Sequence, residues 1–200
     1  MKEIVFATGN PTKAKRFSNG LEQREIKVLS LKDLNLELDV KEDGKTAIEN
    51  ALIKARACHE ATNMPSIGMD DTLYLENVPD DKQPGLFVRR VNGKTLNDDE
   101  MIEHYISLVK EYGKEGKLNC KWVYGLAVIN GDGKESTYTW EKADFYMVDK
   151  PSTIINPGYP LNTISKYKNI NKYFTEMSSA DKEKVKVSEE HVVNFIAEHI

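Results

Sequence analysis

Apolar positions cluster in two short runs near the start of the chain, EIVFA at residues 3–7 and EIKVLSL at 25–31, and both predict buried strands. PSIGM at 65–69 predicts a third, ending at Asp70-Asp71. CKWVYGLAVI at 120–129 and ESTYTWEKADFYMV at 135–148, joined by Asn130-Gly131-Asp132-Gly133, predict a long hairpin. Elsewhere the period is helical. Asn10 as N-cap and Pro11 at the first helical position predict a helix to about Asn19, stopped by Gly20. Thr46 and Glu49 form a capping box, with Ile48, Leu52 and Ala55 on one face of the helix that follows. A second box, Asn97 to Glu100, opens a helix with Met101, Ile102, Tyr105, Leu108 and Val109 inward. A closing helix in SEEHVVNFIAEHI aligns Val192, Val193, Phe195, Ile196 and Ile200. Residues 149–172 carry little period and are interrupted by Pro151, Pro157, Gly158 and Pro160, the mark of a long functional or mobile loop.

Neither a repeat nor an interdomain linker breaks this pattern, so residues 1–200 read as a single domain, with two lobes allowed around one core. Composition agrees with an ordinary globular chain, 40% apolar and 30% charged. A net charge of −4 without a long basic run argues against a nucleic-acid surface, although a few clustered lysines can still focus a local positive field. No stretch reaches the roughly 18 apolar residues of a membrane-spanning helix, so no membrane association is expected. The first residues run directly into a strand pattern where a signal peptide would have its apolar core. Cys58 and Cys120 are far apart and form no CxxC, which points to a reducing cytoplasm. The four histidines show no zinc-ligand spacing with either cysteine.

Candidate chemistry begins at FATGNPTKAK, residues 6–15. A strand, a sharp turn and a proline-started helix leave backbone N–H groups at the carboxyl end of a sheet, where they and the helix dipole attract anions. Lys13 adds a positive charge there, and the Thr8 hydroxyl and Asn10 amide can donate hydrogen bonds. A capped helix with solvated lysines fits the same ten residues equally well, and the spacing is neither a Walker A loop nor a dinucleotide fingerprint. The carboxylates come next. Glu42 precedes the turn pair Asp43-Gly44, and Asp70 and Asp71 sit at a strand end, where hard oxygen ligands suit Mg2+. Adjacent residues of an extended chain point to opposite sides, so one of the two aspartates should face a site directly. Taken alone, the pair reads more simply as a turn cap. Asn50 and Lys54 share a helix face, and Arg89-Arg90, after QPGLF, can either reach phosphate or lie on the surface.

Taken in order, these segments resemble the inosine triphosphate pyrophosphatase (ITPase) family. FATGNPTKAKRF is similar to its opening T-G-N-x-x-K, EDGKTAIENALIKA at 42–55 to its E-x-G-x-T-x-x-E-N-A-x-x-K-A helix, and MPSIGMDDTLYLENV to the strand carrying its paired acids. QPGLFVRRV resembles its P-G-x-[YF] segment and KYFTEMSSADK its E-M signature, so the likeness runs from residue 4 to about 182. The resemblance implies an α/β fold, an elongated mixed twisted sheet with helices forming two lobes around a central cleft, and a homodimer. It implies Mg2+-dependent hydrolysis of a nucleoside triphosphate to the monophosphate and pyrophosphate. By position, Thr8, Asn10, Lys13, Lys54, Arg89 and Arg90 would bind phosphates, Glu42, Asp70 and Asp71 would hold metal, and Asp71 would serve as catalytic base.

The departures concern the base. The family's G-F-G-[YW]-D-P-x-F becomes GYPLNTIS here, with Asn162 in the Asp position and Leu161 in the aromatic one. Its S-H-R, which contacts the purine, has only Ser188-Glu189-Glu190 as a match, and only after a two-residue insertion; without it the positions are Lys186, Val187 and Ser188. Tyr159 and Asn162 are therefore the base-site candidates, with Tyr159 and Tyr167 offering stacking. The expected substrate is a non-standard purine triphosphate such as ITP or XTP, or one reflecting an altered base preference. A catalytically weak nucleotide-binding relative with a sensing or partner-binding role is the alternative.

Overall fold

The computed structural model describes residues 1–8, 13 and 15–200. Asn10, and the start of the helix expected at Pro11, lie outside the described residues. In chain order the elements are β1 (Lys2–Phe6), α1 (Ser18–Glu22), β2 (Ile26–Ser30), α2 (Ala47–Thr62) and β3 (Ser66–Leu75). They continue with β4 (Arg90–Val91), β5 (Lys94–Thr95), α3 (Asp98–Tyr112), β6 (Lys117–Ile129) and β7 (Glu135–Val148). β8 (Ser165–Tyr167), α4 (Ser179–Val185) and α5 (Glu190–Glu198) complete the chain. The fold is mixed α/β, as the sequence predicts.

The chain divides into two compact units, one of residues 1–71, 124–140 and 188–200, the other of 72–123 and 141–187. In the first, the strand order is β2-β1-β3-β6-β7, with β1 parallel to both β2 and β3. A parallel strand between two others is covered on both faces, which is why EIVFA is apolar without alternation. Ile4 and Phe6 enter one core with Phe17, Leu21, Met69, Trp140 and Val192, while Val5 and Ala7 point the other way, toward Leu31 and Cys58.

Helix α2 departs from the expected face. Its buried residues are Ala47, Asn50, Ala51, Ala55 and Cys58, whereas Ile48 and Leu52 are only partly covered. The reason lies in the sheet beneath. A Cβ at Gly68 would stand 1.8 Å from the Ala51 carbonyl oxygen, and one at Gly125 would stand 2.5 Å from the Ala47 carbonyl carbon. The helix backbone rests directly on two strand glycines, and only alanines fit that contact. Gly20 has a similar role. It lies inside α1 where a stop was expected, and a Cβ there would come within 2.9 Å of Val193 of α5.

Two further expectations are corrected. The third strand does not end at Asp70-Asp71 but continues to Leu75, so the two acids sit within a strand. The Thr46 box is half-formed: the Thr46 hydroxyl accepts from the Glu49 N–H at 3.2 Å, but Glu49 turns to the Lys45 N–H at 2.5 Å. The Asn97–Glu100 box is complete in both directions.

The second unit packs Met101, Tyr105, Leu108 and Val109 of α3 against Leu73, Leu118, Phe145, Met147 and Ile164. Tyr105 is fully buried, and its hydroxyl donates to the Val88 carbonyl at 2.9 Å. Residues 149–172, expected as one irregular stretch, contain a 3-10 turn at Pro160–Thr163 and strand β8, antiparallel to β7. In KYFTEMSSADK, Ser178 and Asp181 form a reciprocal box that opens α4, a helix the apolar pattern does not announce.

Gly68→Ala should lower stability by about 2 kcal/mol or more, because the new methyl group overlaps a backbone carbonyl that cannot swing away. Gly131→Ala, where the nearest atom is Pro65 Cγ at 4.0 Å, should change stability by no more than about 0.5 kcal/mol. Urea midpoints of the two variants make the comparison.

Candidate active site

The carboxyl end of β1 delivers Ala7 and Thr8 to the rim of a pocket of about 350 Å³. Lys13, Glu42, Lys54 and Asp70 complete its polar wall, and Leu31, Leu38 and Val40 its apolar one. Five predicted residues, separated by up to 62 positions from Thr8 to Asp70, thus meet in one cavity of the first unit.

Within it, each acid has a basic partner. Lys54 Nζ is 2.9 Å from Glu42 Oε2 and 3.4 Å from Asp70 Oδ1, so one ammonium serves two carboxylates. Lys13 Nζ is 2.5 Å from Asp71 Oδ1. Successive strand residues alternate in direction, and the structure applies that rule to the acidic pair. Asp70 lines the pocket directly, while Asp71 is joined to it through Lys13.

Asn50 organises the other side. Its Nδ2 donates to Asp70 Oδ2 at 2.8 Å, and its Oδ1 accepts from the Gly44 N–H at 2.9 Å. A single buried amide therefore fixes both the strand carboxylate and the loop that carries Glu42. Gly44 is needed there because a Cβ would fall 2.6 Å from Asn50 Oδ1.

The donor set fits Mg2+. That ion is usually held by one or two carboxylates, with substrate phosphates and waters filling its remaining positions. Glu42 and Asp70, bridged by one ammonium, provide two such carboxylates. No three acidic, histidine or cysteine side chains converge as a metal cage among the described residues.

A second cluster adjoins Asp71 and was not legible in the sequence. Arg16 packs its guanidinium on Tyr124, 4.5 Å from the ring centroid, and Tyr124 stacks on Trp140 at 4.9 Å. Arg16 Nε donates to Glu189 Oε2 at 2.8 Å, and Nη2 donates to Oε1 of the same carboxylate. Burial alone would depress the Arg16 guanidinium, but the Glu189 hydrogen bonds and charge raise it above its ordinary value. Burial likewise pushes the Tyr124 hydroxyl up to about 12, with the nearby Arg16 opposing and the Asp71 charge reinforcing the shift. The pairing also places Glu189 in the first unit, bonded to the turn that follows Lys13. No local spacing could reveal a pair 173 residues apart.

The remaining candidates belong to the second unit. Arg89 Nη1 donates to Asp98 Oδ1 at 2.8 Å and to the Leu96 carbonyl at 3.2 Å. The Gly158 N–H donates to the other Asp98 oxygen at 2.7 Å, and it, with Arg89, holds this carboxyl below its usual range. Arg90 lies over the Phe87 ring at 4.8 Å. Tyr159 is 50% exposed, and its carbonyl accepts from the Asn162 N–H at 3.0 Å in the 3-10 turn. Tyr167, expected to offer stacking, is itself stacked on Phe174 at 4.2 Å.

Residues 4–196 match the Ham1 family. The dITP/XTP pyrophosphatase of Bacillus subtilis (strain 168) is 32% identical over 185 residues, which cover 92% of this chain and 90% of that protein. The dITP/XTP pyrophosphatase of Thermoanaerobacter pseudethanolicus is 26% identical over 183 residues, covering 92% and 89%. The structure of the Staphylococcus aureus Ham1 protein superposes with a TM-score of 0.74 at 21% identity, covering 98% of this chain and 97% of that one. A HAM1 protein from Coxiella burnetii gives 0.73 at 22% identity, covering 99% and 98%. At these identities the two structures establish a common fold.

Asn50→Ala should cost about 1–3 kcal/mol, because it leaves the Gly44 N–H and one Asp70 oxygen without their partner. Amide hydrogen exchange at Gly44 should accelerate more than exchange along β1. Unchanged protection at Gly44 would mean the amide does not hold the loop.

Proposed function

This chain belongs to the Ham1 family, and from that premise we propose that it hydrolyses a nucleoside triphosphate to the monophosphate and pyrophosphate. The observation that carries the reading is the pocket where Thr8, Lys13 and Lys54 stand beside Glu42 and Asp70, two lysines among carboxylates at a strand end. The names of the relatives, dITP/XTP pyrophosphatases, supply the substrate class.

In this reading Lys13, Lys54 and the Thr8 hydroxyl bind phosphate oxygens, and Asn10 adds an amide donor. Glu42, Asp70 and Asp71 would hold Mg2+, whose charge would offset that of the phosphates and so favour attack at phosphorus. Asp71 accepts the proton of the attacking water as the bond between the first two phosphates breaks. Lys13 Nζ lies 2.5 Å from that carboxylate. The phosphate role of Arg89 or Arg90 rests on the motif resemblance, since Arg89 is committed to Asp98 and Leu96 and Arg90 lies over the Phe87 ring. The motif resemblance extends the proposal to a homodimer, and the separated cysteines extend it to the cytoplasm.

The base site is where this chain departs from its family's pattern. Asn162 has no carboxylate to offer, and neither alignment of the C-terminal motif, Ser188-Glu189-Glu190 with an insertion or Lys186-Val187-Ser188 without, restores the family's His-Arg pair. A pocket that hydrogen-bonds a substrate group rejects analogues lacking it by large factors, and loss of those partners removes the selection. We therefore include in the proposal a reduced preference for ITP and XTP over ATP and GTP, with Tyr159 supplying stacking that tolerates several bases.

Asp71→Asn should retain the fold and lower kcat by at least ~100-fold in a pyrophosphate-release assay with Mg2+. Glu42→Gln should instead raise the Mg2+ concentration needed for half-maximal rate. A wild-type kcat for the first, or an unchanged metal requirement for the second, would remove that residue from its role. Release of no pyrophosphate from any nucleotide, with binding retained, would favour the non-catalytic alternative.

The ratio of kcat/KM values for ITP and XTP to those for ATP and GTP should fall below the roughly hundredfold or greater ratios that demand specific polar contacts. A ratio above that level would show that other residues of this chain rebuild the purine contacts.

A further inference from the structure

The polar wall of the pocket carries its own counterions. Lys13 is paired with Asp71, and Lys54 is shared between Glu42 and Asp70. Two ammonium groups therefore face three carboxylates, through the same atoms that the proposed function assigns to phosphate and metal. Lys54 and Asp70 are largely shielded from solvent, with side chains 14% and 15% exposed, so their charges are screened less than those of a surface pair.

We propose that these lysines act as built-in counterions that exchange partners on binding, and that this exchange couples metal and triphosphate thermodynamically. A divalent cation arriving alone must displace an ammonium from Glu42, Asp70 or Asp71 and leave that lysine charge without an anion. A triphosphate arriving alone must draw the lysines away and leave bare carboxylates facing its own negative oxygens. When both arrive, lysine–carboxylate pairs are traded for lysine–phosphate and metal–carboxylate pairs, and neither sign of charge is stranded. Coupling of this kind is reciprocal: each ligand raises affinity for the other by the same factor. Asn50 permits the trade without collapse of the site. Its neutral amide holds Asp70 Oδ2 by a hydrogen bond that does not depend on Lys54.

The inference rests on the proposed function, and its signature is an opposite-signed response to one substitution. Lys13→Met and Lys54→Met each remove an ammonium while keeping much of the side-chain volume. Both should bind Mn2+ alone about threefold or more tightly than wild type, since the carboxylates lose their competing cation. Both should bind inorganic triphosphate alone more weakly. Lys27→Met removes a lysine paired to Glu3, away from the pocket, and should alter neither.

Free Mn2+ counted by electron paramagnetic resonance and triphosphate titrated by calorimetry read the two affinities, with urea midpoints confirming that each variant is folded. Unchanged or weaker Mn2+ binding in both pocket variants, with triphosphate binding reduced, overturns the exchange but leaves the lysines as phosphate contacts. Binding of neither probe by the wild-type protein overturns the proposed function, and the exchange with it.

Discussion

Everything at the pocket depends on how closely helix α2 can approach the sheet. Ala47, Ala51 and Ala55 lie against Gly68 and Gly125 with no room for another carbon, and that contact fixes the helix in depth and rotation. Asn50 and Lys54 stand four residues apart on the same helix, so their position over Asp70 follows from the seating. A bulkier face would lift the amide and ammonium away from Asp70, which they contact at 2.8 and 3.4 Å. Small residues in the core thereby set polar geometry at the surface.

This arrangement divides labour between two kinds of partner. Asn50 is neutral, buried and bonded on both ends of its amide, which makes it a fixed brace between Gly44 and Asp70. Lys13 and Lys54 are flexible and charged, and each has a stem long enough to redirect its ammonium over several ångströms. The brace thereby holds the loop bearing Glu42 to β3 through a group that carries no charge of its own.

Much of this was legible in the sequence, and what was not had a definite cause. β1 announces itself as a continuous apolar run, and β2 and the long hairpin through β-branched and aromatic residues between turn signals. The Asn97 box is readable because capping is a local interaction. The alanine face of α2 is not, because Ile48 and Leu52 are the more hydrophobic choice and only the distant glycines reveal why they lose. The continuation of β3 through Asp70-Asp71 is hidden for a related reason. Two adjacent acids look like a turn, and the lysines that neutralise them come from residues 13 and 54. The motif order pointed to Thr8, Lys13, Glu42, Lys54 and Asp70 before any of them could be placed in space.

The Arg16–Glu189 pair shows the limit of local reading most plainly. Arg16 follows Lys13 by one turn, its N–H donating to the Lys13 carbonyl at 3.1 Å, while Glu189 immediately precedes the C-terminal helix. Their bidentate bond, stacked on Tyr124, anchors the segment bearing Lys13 to a part of the chain 173 residues away. Removing one partner of such a shielded pair would leave the other charge stranded beside an aromatic wall, a far larger penalty than loss of a surface ion pair.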